Sequence, residues 1–378
     1  MKINIFVKKA VKKLRGGRVT LYPESVSRGR VLLSYKTEPF IEFEKKEHLN
    51  SNMWECKEIA EIFLRLGYTV DIIDWFNHSY QPTKTYKYFI DLHFNLHRLG
   101  SLVGKDCIKI LHATASHWLF NNSAEYQRLL DLQQRCGAVL MPRRALAPIS
   151  TIEDADFCTL IGNEVTESTY AYAGKKMYRI PISTTHTYPF PKNKDIGKAR
   201  KSFIWLGGVG MVHKGLDVVL EAFAQMPEYQ LFICGDVQAE KDFEKLFENE
   251  LYHTKNIKVL GRVNVGSDAF KNIASSSIAL IHPSCAEGQS GSVVTCMHAG
   301  LIPAVSLHSG VNVGDFGVLL RENTVEEIMQ TVRHIAALPA DELVRRSRGA
   351  WDYAREHHTR ERFSEGFTKF VTMLERHN

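Results

Sequence analysis

The sequence predicts an α/β protein built of two doubly wound domains, and three observations carry that reading. Short apolar runs alternate with amphipathic stretches along almost the whole chain, the pattern of parallel strands covered by helices on both faces. The chain has 378 residues, too many for one ordinary core. A Pro- and Lys-rich stretch at 188–200, YPFPKNKDIGKAR, separates one such series from a second.

In the first series, Arg30 to Tyr35 reads as a core strand, followed by a helix from about Asn52 to Leu66 that Gly67 stops. Tyr68 to Asp74, Tyr88 to Leu92, Ile108 to Ala113, Ala138 to Met141 and Phe157 to Ile161 are further strands, with a helix over Ala124 to Cys136. The second series begins at Ser202 to Leu206 and continues through a helix at Leu216 to Phe223 and a strand at Gln230 to Cys234. A helix at Glu240 to Glu250, a strand at Ile257 to Leu260, a helix at Asp268 to Ala274 and a strand at Ser277 to Ile281 follow. Gly317 to Leu320 is the last strand, before helices at about Val325 to Ala336, Ala340 to Glu356 and Thr359 to Glu375. The division expected is 1–195 and 196–358, with the terminal helix of 359–378 packing back on the first domain.

Composition narrows the function classes. Hydrophobic residues make up 44% and charged residues 24%, as in globular proteins, and no apolar run is long enough to span a bilayer. The seven cysteines lack CxxC or CxxH spacing, which speaks for reduced thiols in a cytoplasmic protein and against structural zinc. The net charge of +6 is concentrated at the start, where Lys2, Lys8, Lys9, Lys12, Lys13, Arg15 and Arg18 meet no acid. The remainder is close to neutral, so no nucleic-acid surface is expected on the body. Within residues 1–18, Ile3, Phe6, Val7, Ala10, Val11 and Leu14 share one helical face opposite the cations. That pattern suits a peripheral contact with the inner face of an anionic membrane, and it also suits a solvated basic tail; the tail is favoured, because one short helix binds lipid weakly.

Two loops carry the candidate chemistry. After the strand ending at Ile281 comes a small-residue loop from Pro283 to Ser292, which feeds Gly288, Gln289, Ser290, Gly291, Ser292 and Val293 into a helix start. Free N–H groups and the positive helix end there suit a phosphate. Glu287 would repel a phosphate and suits the hydroxyls of a sugar attached to it. The bland alternative is a plain helix cap. The second loop, Gly207-Gly208-Val209-Gly210-Met211-Val212-His213-Lys214-Gly215, again joins strand to helix, with Lys214 a point charge in reach. Such a turn is again a phosphate cradle, but the signal is weak, since the loop is neither GxGxxG nor a Walker loop, and an ordinary tight turn is the alternative favoured on these residues alone.

The run IHPSCAEGQSGSVVTCMHAGLIPAV (281–305) resembles the sugar-nucleotide loop of family 4 glycosyltransferases. Pro283, Ser284, Glu287, Gly288, Gly300 and Pro303 match that family, and Lys214-Gly215 match its Lys-Gly pair. Thr295 stands where the family has a second glutamate, associated with the donor ribose, and Val209 where it has an arginine. The resemblance is specific over roughly 202–358 and extends to layout alone in the first half. It implies the GT-B fold, two facing Rossmann-like domains with an interdomain cleft. It further implies transfer of a sugar, with retention, from a nucleoside diphosphate sugar to a glycan or lipid-linked acceptor in polysaccharide or glycoconjugate synthesis. No metal or other cofactor is expected, and the literal DxD at Asp154–Asp156 lies at the wrong end of its strand to hold one. In the family a histidine at a first-domain strand end points at the transferred sugar; His117 is the first choice here and His112 the second, against the reading that both satisfy loop backbone. Asn163 and Glu164 close another strand end on the same side. Two rivals remain: an epimerase or phosphorylase of the same fold, and a degenerate member that binds a sugar nucleotide or scaffolds an assembly.

Overall fold

A computed structural model describes residues 17–41, 50–149 and 151–376. The proposed amphipathic segment therefore lies outside the described residues, apart from its last two positions. Strands β1 (Arg18–Leu21), β2 (Arg30–Tyr35), β3 (Thr69–Asp74), β4 (Tyr88–Asp91), β5 (Ile108–Ala113), β6 (Phe157–Leu160) and β7 (Met177–Arg179) form one sheet in the order β1-β3-β2-β4-β5-β6-β7. All its pairings are parallel except β1 on β3. Strands β8 (Ser202–Leu206), β9 (Gln230–Cys234), β10 (Ile257–Gly261), β11 (Ala279–His282), β12 (Ile302–Ser306) and β13 (Val318–Leu320) form a wholly parallel second sheet, ordered β10-β9-β8-β11-β12-β13. This is the Rossmann-like, two-sheet GT-B architecture.

The first domain contributes α1 (Glu38–Ile41), α2 (Ser51–Arg65), α3 (Asn95–Leu99), α4 (Trp118–Cys136), whose buried Leu132 joins the core of the second domain, and α5 (Glu164–Ser168). The second carries α6 (Ile196–Ala199), α7 (Leu216–Ala224), α8 (Lys241–Leu246), α9 (Asp268–Ser276), α10 (Gly291–His298), α11 (Val325–Ala337) and α12 (Ala340–His357). The last helix, α13 (Arg360–Arg376), returns to α2, burying Phe363, Phe367, Phe370, Val371 and Leu374. Its Glu375 accepts a 2.7 Å hydrogen bond from the Tyr68 hydroxyl, which fixes the end of the chain to the first sheet.

Several expectations give way to packing. Ala138 to Met141 is not a strand: β5 pairs directly with β6, and Val139 and Met141 stay 73% and 65% exposed. The Met141 amide instead donates to Asp242, at the start of α8 in the second domain. The helix expected from Ala124 starts six residues earlier, at Trp118, because the His117 ring accepts from the Leu119 amide and caps it. The stretch at 188–200 is tied down rather than loose: Lys194 is half-buried and donates to the carbonyls of Ser277 (2.8 Å) and Gly300 (3.2 Å). Strands β1 and β7 arise without a sequence signal.

Glu55 of α2 is fully buried at the seam, where Oε1 accepts from the Ser183 amide at 2.8 Å. Burial pushes its carboxyl up from 4.5 to about 7, against the pull of that amide. The folded chain therefore holds a proton, between those two values, that the unfolded chain releases. The resulting stability is full below about pH 4.5 and is lost as pH rises through about 7. Glu55→Gln is expected to remove this decline, worth about 3 kcal/mol on the usual conversion. Denaturant melts of both proteins at pH 5 and pH 8 measure it.

Candidate active site

In the second sheet β8 lies between β9 and β11, so the direction in which successive strands are added reverses between β8 and β11, although every strand runs parallel. Ligands of open parallel sheets bind beyond the carboxyl ends of the strands at such a reversal. The two loops leaving those strand ends are Gly207 to Gly215 and Pro283 to Ser290. Gly215 sits at φ +69°, and a Cβ there would meet the Pro283 ring at 2.5 Å, so the two loops touch through a residue without a side chain. That contact brings the Lys214 ammonium onto Oε1 of Glu287, with both side chains about a tenth exposed. Burial alone would raise the Glu287 carboxyl. Lys214, the His282 ring and the field of Arg144 outweigh it and hold the group well below the usual carboxylate range.

Histidines brace this pair. His282, wholly buried at the end of β11, places Nε2 3.9 Å from the Glu287 carboxylate and 3.1 Å from the Ser290 hydroxyl. His213 bonds the Ala286 carbonyl through Nε2 at 2.6 Å, so that nitrogen carries the proton. Burial lowers its pKa to about 4, which keeps the ring neutral.

The glycine-rich turn is not the open phosphate cradle expected of it. The amides of Gly210 and Met211 donate to the Glu240 carboxylate, the latter at 3.2 Å, and the Gly207 amide donates to the Cys234 carbonyl. Gly207 has no room for a Cβ because of the Trp205 ring, whereas Gly208 faces open space. What the turn offers a ligand is Lys214. Helix α10 offers its N-terminus: Ser290 stands at the cap position without a side-chain capping bond, and Gly291, Ser292 and Val293 form the first turn. The Ser290 amide is taken by the Ser309 carbonyl at 2.9 Å. Thr295 is buried in the second turn of α10.

The first domain holds the loop from the other side. Ser116 Oγ donates to the Glu287 carbonyl at 2.7 Å, and Thr166 Oγ1 to the Gly288 carbonyl at 2.9 Å. A side chain at Gly288 would collide with the carbonyls of Thr114 and Ile161, which end β5 and β6. Gln289 accepts from the Ile182 amide at 2.8 Å, and Asn163 caps α5 while donating to Asn312 at 2.8 Å. Glu164 faces outward and pairs with Arg179 at 3.3 Å.

The two histidine candidates stand apart from this cluster. His112 is fully buried in β5, 2.7 Å from the Thr159 hydroxyl and packed on Tyr35, Phe363 and Phe367; burial lowers its pKa to about 3, and it does not face the cleft. His117 spends both nitrogens inside the first domain. Nδ1 accepts from the Leu119 amide, so Nε2 carries the proton toward the Tyr172 hydroxyl at 3.1 Å, which in turn donates to Glu153 at 2.7 Å. Asp154 pairs with His97 at 2.7 Å and Asp156 accepts from the Lys109 amide, so the DxD is split between separate partners. Ser116, Thr166, His213 and His282 are the site residues that the sequence reading missed. No helix among the described residues is long and apolar enough to cross a membrane.

Residues 200–337 match the family model described as Glycosyl transferases group 1. No curated protein sequence matches the chain. Among solved structures, sucrose-phosphate synthase from Thermosynechococcus elongatus superposes with a TM-score of 0.63 at 13% identity, over 92% of this chain and 99% of that one. Anabaena HepE in complex with UDP and glucose gives 0.57 at 12%, over 92% and 99%. A point mutant of S. aureus TarM, in complex with fondaparinux, alpha-GlcNAc-glycerol and UDP, gives 0.54 at 12%, over 75% of this chain and 54% of that one. The structural likenesses are of fold, and the sequence match falls on the domain that carries Lys214 and Glu287. Together they give the chain the GT-B fold, with residues 200–337 of its second domain similar to glycosyl transferases group 1.

Proposed function

We propose that the protein transfers a sugar from a nucleoside diphosphate sugar to an acceptor hydroxyl, with retention and without a metal. The observation that carries this is the buried Lys214–Glu287 pair beside an uncapped α10 N-terminus at the strand reversal of the second sheet. Charge develops on the leaving diphosphate as the glycosidic bond breaks. Oriented N–H groups at Gly291 to Val293 and the Lys214 ammonium are placed to receive it, and they need no reorganisation. Glu287 accepts hydrogen bonds from sugar hydroxyls, its ionised state secured by Lys214. The first domain, whose Ser116 and Thr166 hold the loop carbonyls, presents the acceptor and excludes water, since hydrolysis is the competing reaction. The acceptor class proposed is a glycan or a lipid-linked glycan. His117 acts through position, fixing the start of α4 next to Ser116.

A thermal-shift panel of UDP, GDP, ADP and their sugars, with and without EDTA, tests the reading. UDP comes first because the HepE and TarM structures hold it. A ligand at a hundred times its Kd stabilises by about 2.7 kcal/mol, well within the method's reach. One nucleotide should raise Tm selectively and regardless of EDTA. Silence from every nucleotide, in protein shown to be folded, would promote the scaffold reading instead.

A further inference from the structure

The geometry points to Arg144, in the first domain, as a phosphate-binding residue for the donor held by the second. The inference rests on the proposed function and adds a residue that neither the sequence motifs nor the family match contains.

The second domain is short of positive charge where a diphosphate would lie. Lys214 is matched by Glu287, the exposed position at 209 is a valine, and Glu240 adds a carboxylate beneath the turn. A dianionic leaving group needs a further cation. Four arginines approach from the first domain, of which Arg135 is taken by Asp217 at 2.6 Å. Arg128 donates to the Pro283 carbonyl at 2.8 Å, and Arg143 pairs with Asp242 at 2.5 Å. Arg144 is exposed, and among the described residues its guanidinium has no acceptor.

Its placement is built rather than incidental. The buried Glu125 of α4 accepts the Arg144 amide through both oxygens, at 2.8 and 3.1 Å, and the Arg143 amide at 2.8 Å. Asn121 donates to the Arg144 carbonyl at 2.8 Å. The backbone is thus fixed while the side chain crosses to the second domain, where its stem lies on Gly210. A Cβ on that glycine would come within 2.6 Å of Arg144 Cγ, and its φ of +94° already favours glycine. Gly210 stands four residues before Lys214, so the guanidinium shares the mouth of the same loop. Its charge is felt at Glu287 and at His213, whose pKa values it helps to lower. A diphosphate meeting Lys214 and the α10 N-terminus would find Arg144 on its open side, free to form paired N–H bonds to phosphate oxygens.

The test uses the full-length protein, with UDP and uridine as probes in isothermal titration. Arg144→Gln should weaken UDP binding by roughly tenfold or more, as expected for losing a charge-assisted bond. Uridine binding and Tm should stay near wild type, because the variant keeps the backbone bonds to Glu125 and Asn121. Adding Val209→Arg to that variant puts a guanidinium one residue from Gly210 and should restore most of the lost UDP affinity. Wild-type binding of UDP with an unchanged Arg144→Gln variant would overturn the assignment and leave the proposed function standing. Equal weakening of UDP and uridine, or no rescue by Val209→Arg, would also overturn it by showing a role in shape rather than charge. Failure of wild type to bind any nucleoside diphosphate would remove both readings together.

Discussion

Replacing Glu287 with alanine should slow sugar transfer severely while leaving nucleoside diphosphate binding intact or tighter. The two effects separate because the carboxylate has two partners at different stages. In the free protein it neutralises Lys214, with both groups about a tenth exposed. Once a donor sugar is bound, its acceptor oxygens face the hydroxyls, and losing them should cost about 10²–10³ in kcat, the range found when a preorganised polar contact is deleted from an active site. Lys214, freed of its partner, has its full charge for the diphosphate, so UDP should bind with equal or up to roughly tenfold greater affinity. The same variant should be less stable without ligand, by about 3–5 kcal/mol, since breaking a buried pair leaves one charge uncompensated. Saturating UDP should recover part of that loss. Glu287→Gln, which keeps hydrogen-bonding capacity but not charge, should fall between. Single-turnover transfer, UDP titration and Tm with and without UDP read the three quantities separately. Transfer at near wild-type rate in Glu287→Ala would remove Glu287 from the site.

Both loops of that pair were legible in the sequence, because each leaves an apolar strand and runs into a helix. The pairing was not, since it depends on Gly215 meeting Pro283 across 68 positions of chain. His112 was misplaced for a reason the sequence itself contained. Side chains alternate along a strand, so His112 shares a face with Ile110, and that face packs on α13. A period-two reading of β5 would have sent the ring to the core. Strand β1 had no such signal. Its place is fixed by long-range polar contacts to the buried Asp71, which receives the Thr20 hydroxyl at 2.6 Å and salt bridges from Arg18 and Arg30. Arg144 was passed over because Ala138 to Met141 looked like a strand, which hid the fact that the following residues cross to the second domain. Ser116 and Thr166 are small polar residues in loops and short helices, where neither period nor spacing marks a contact with another domain.

Gly310→Ala should be the most damaging change of a single methyl group. Gly310 follows the short turn Leu307–Ser309 at φ +69°, and a Cβ there would run into the Gly288 carbonyl, with Thr166 Oγ1 at 3.1 Å behind it. Two costs add. Holding alanine in the left-handed region costs about 1 kcal/mol. Displacing packed backbone costs about a further 1–3 kcal/mol. The second cost falls on the donor loop itself, because the Gly288 carbonyl is the acceptor for Thr166 and lies one residue from Glu287. Any shift that admits the methyl group also moves Glu287 relative to Lys214, and a displacement of about 1 Å at a positioned group can cost about a hundredfold in rate. Gly137→Ala isolates the first cost: it ends α4 at φ +64° with open space around its Cα. That control should lose about 1 kcal/mol and keep its transfer rate. Gly310→Ala should lose at least twice as much stability and about a hundredfold in kcat/KM. Equal losses in the two variants would mean that the loop at Gly288 gives way to the methyl group without cost, and that its packing against Gly310 does not position Glu287.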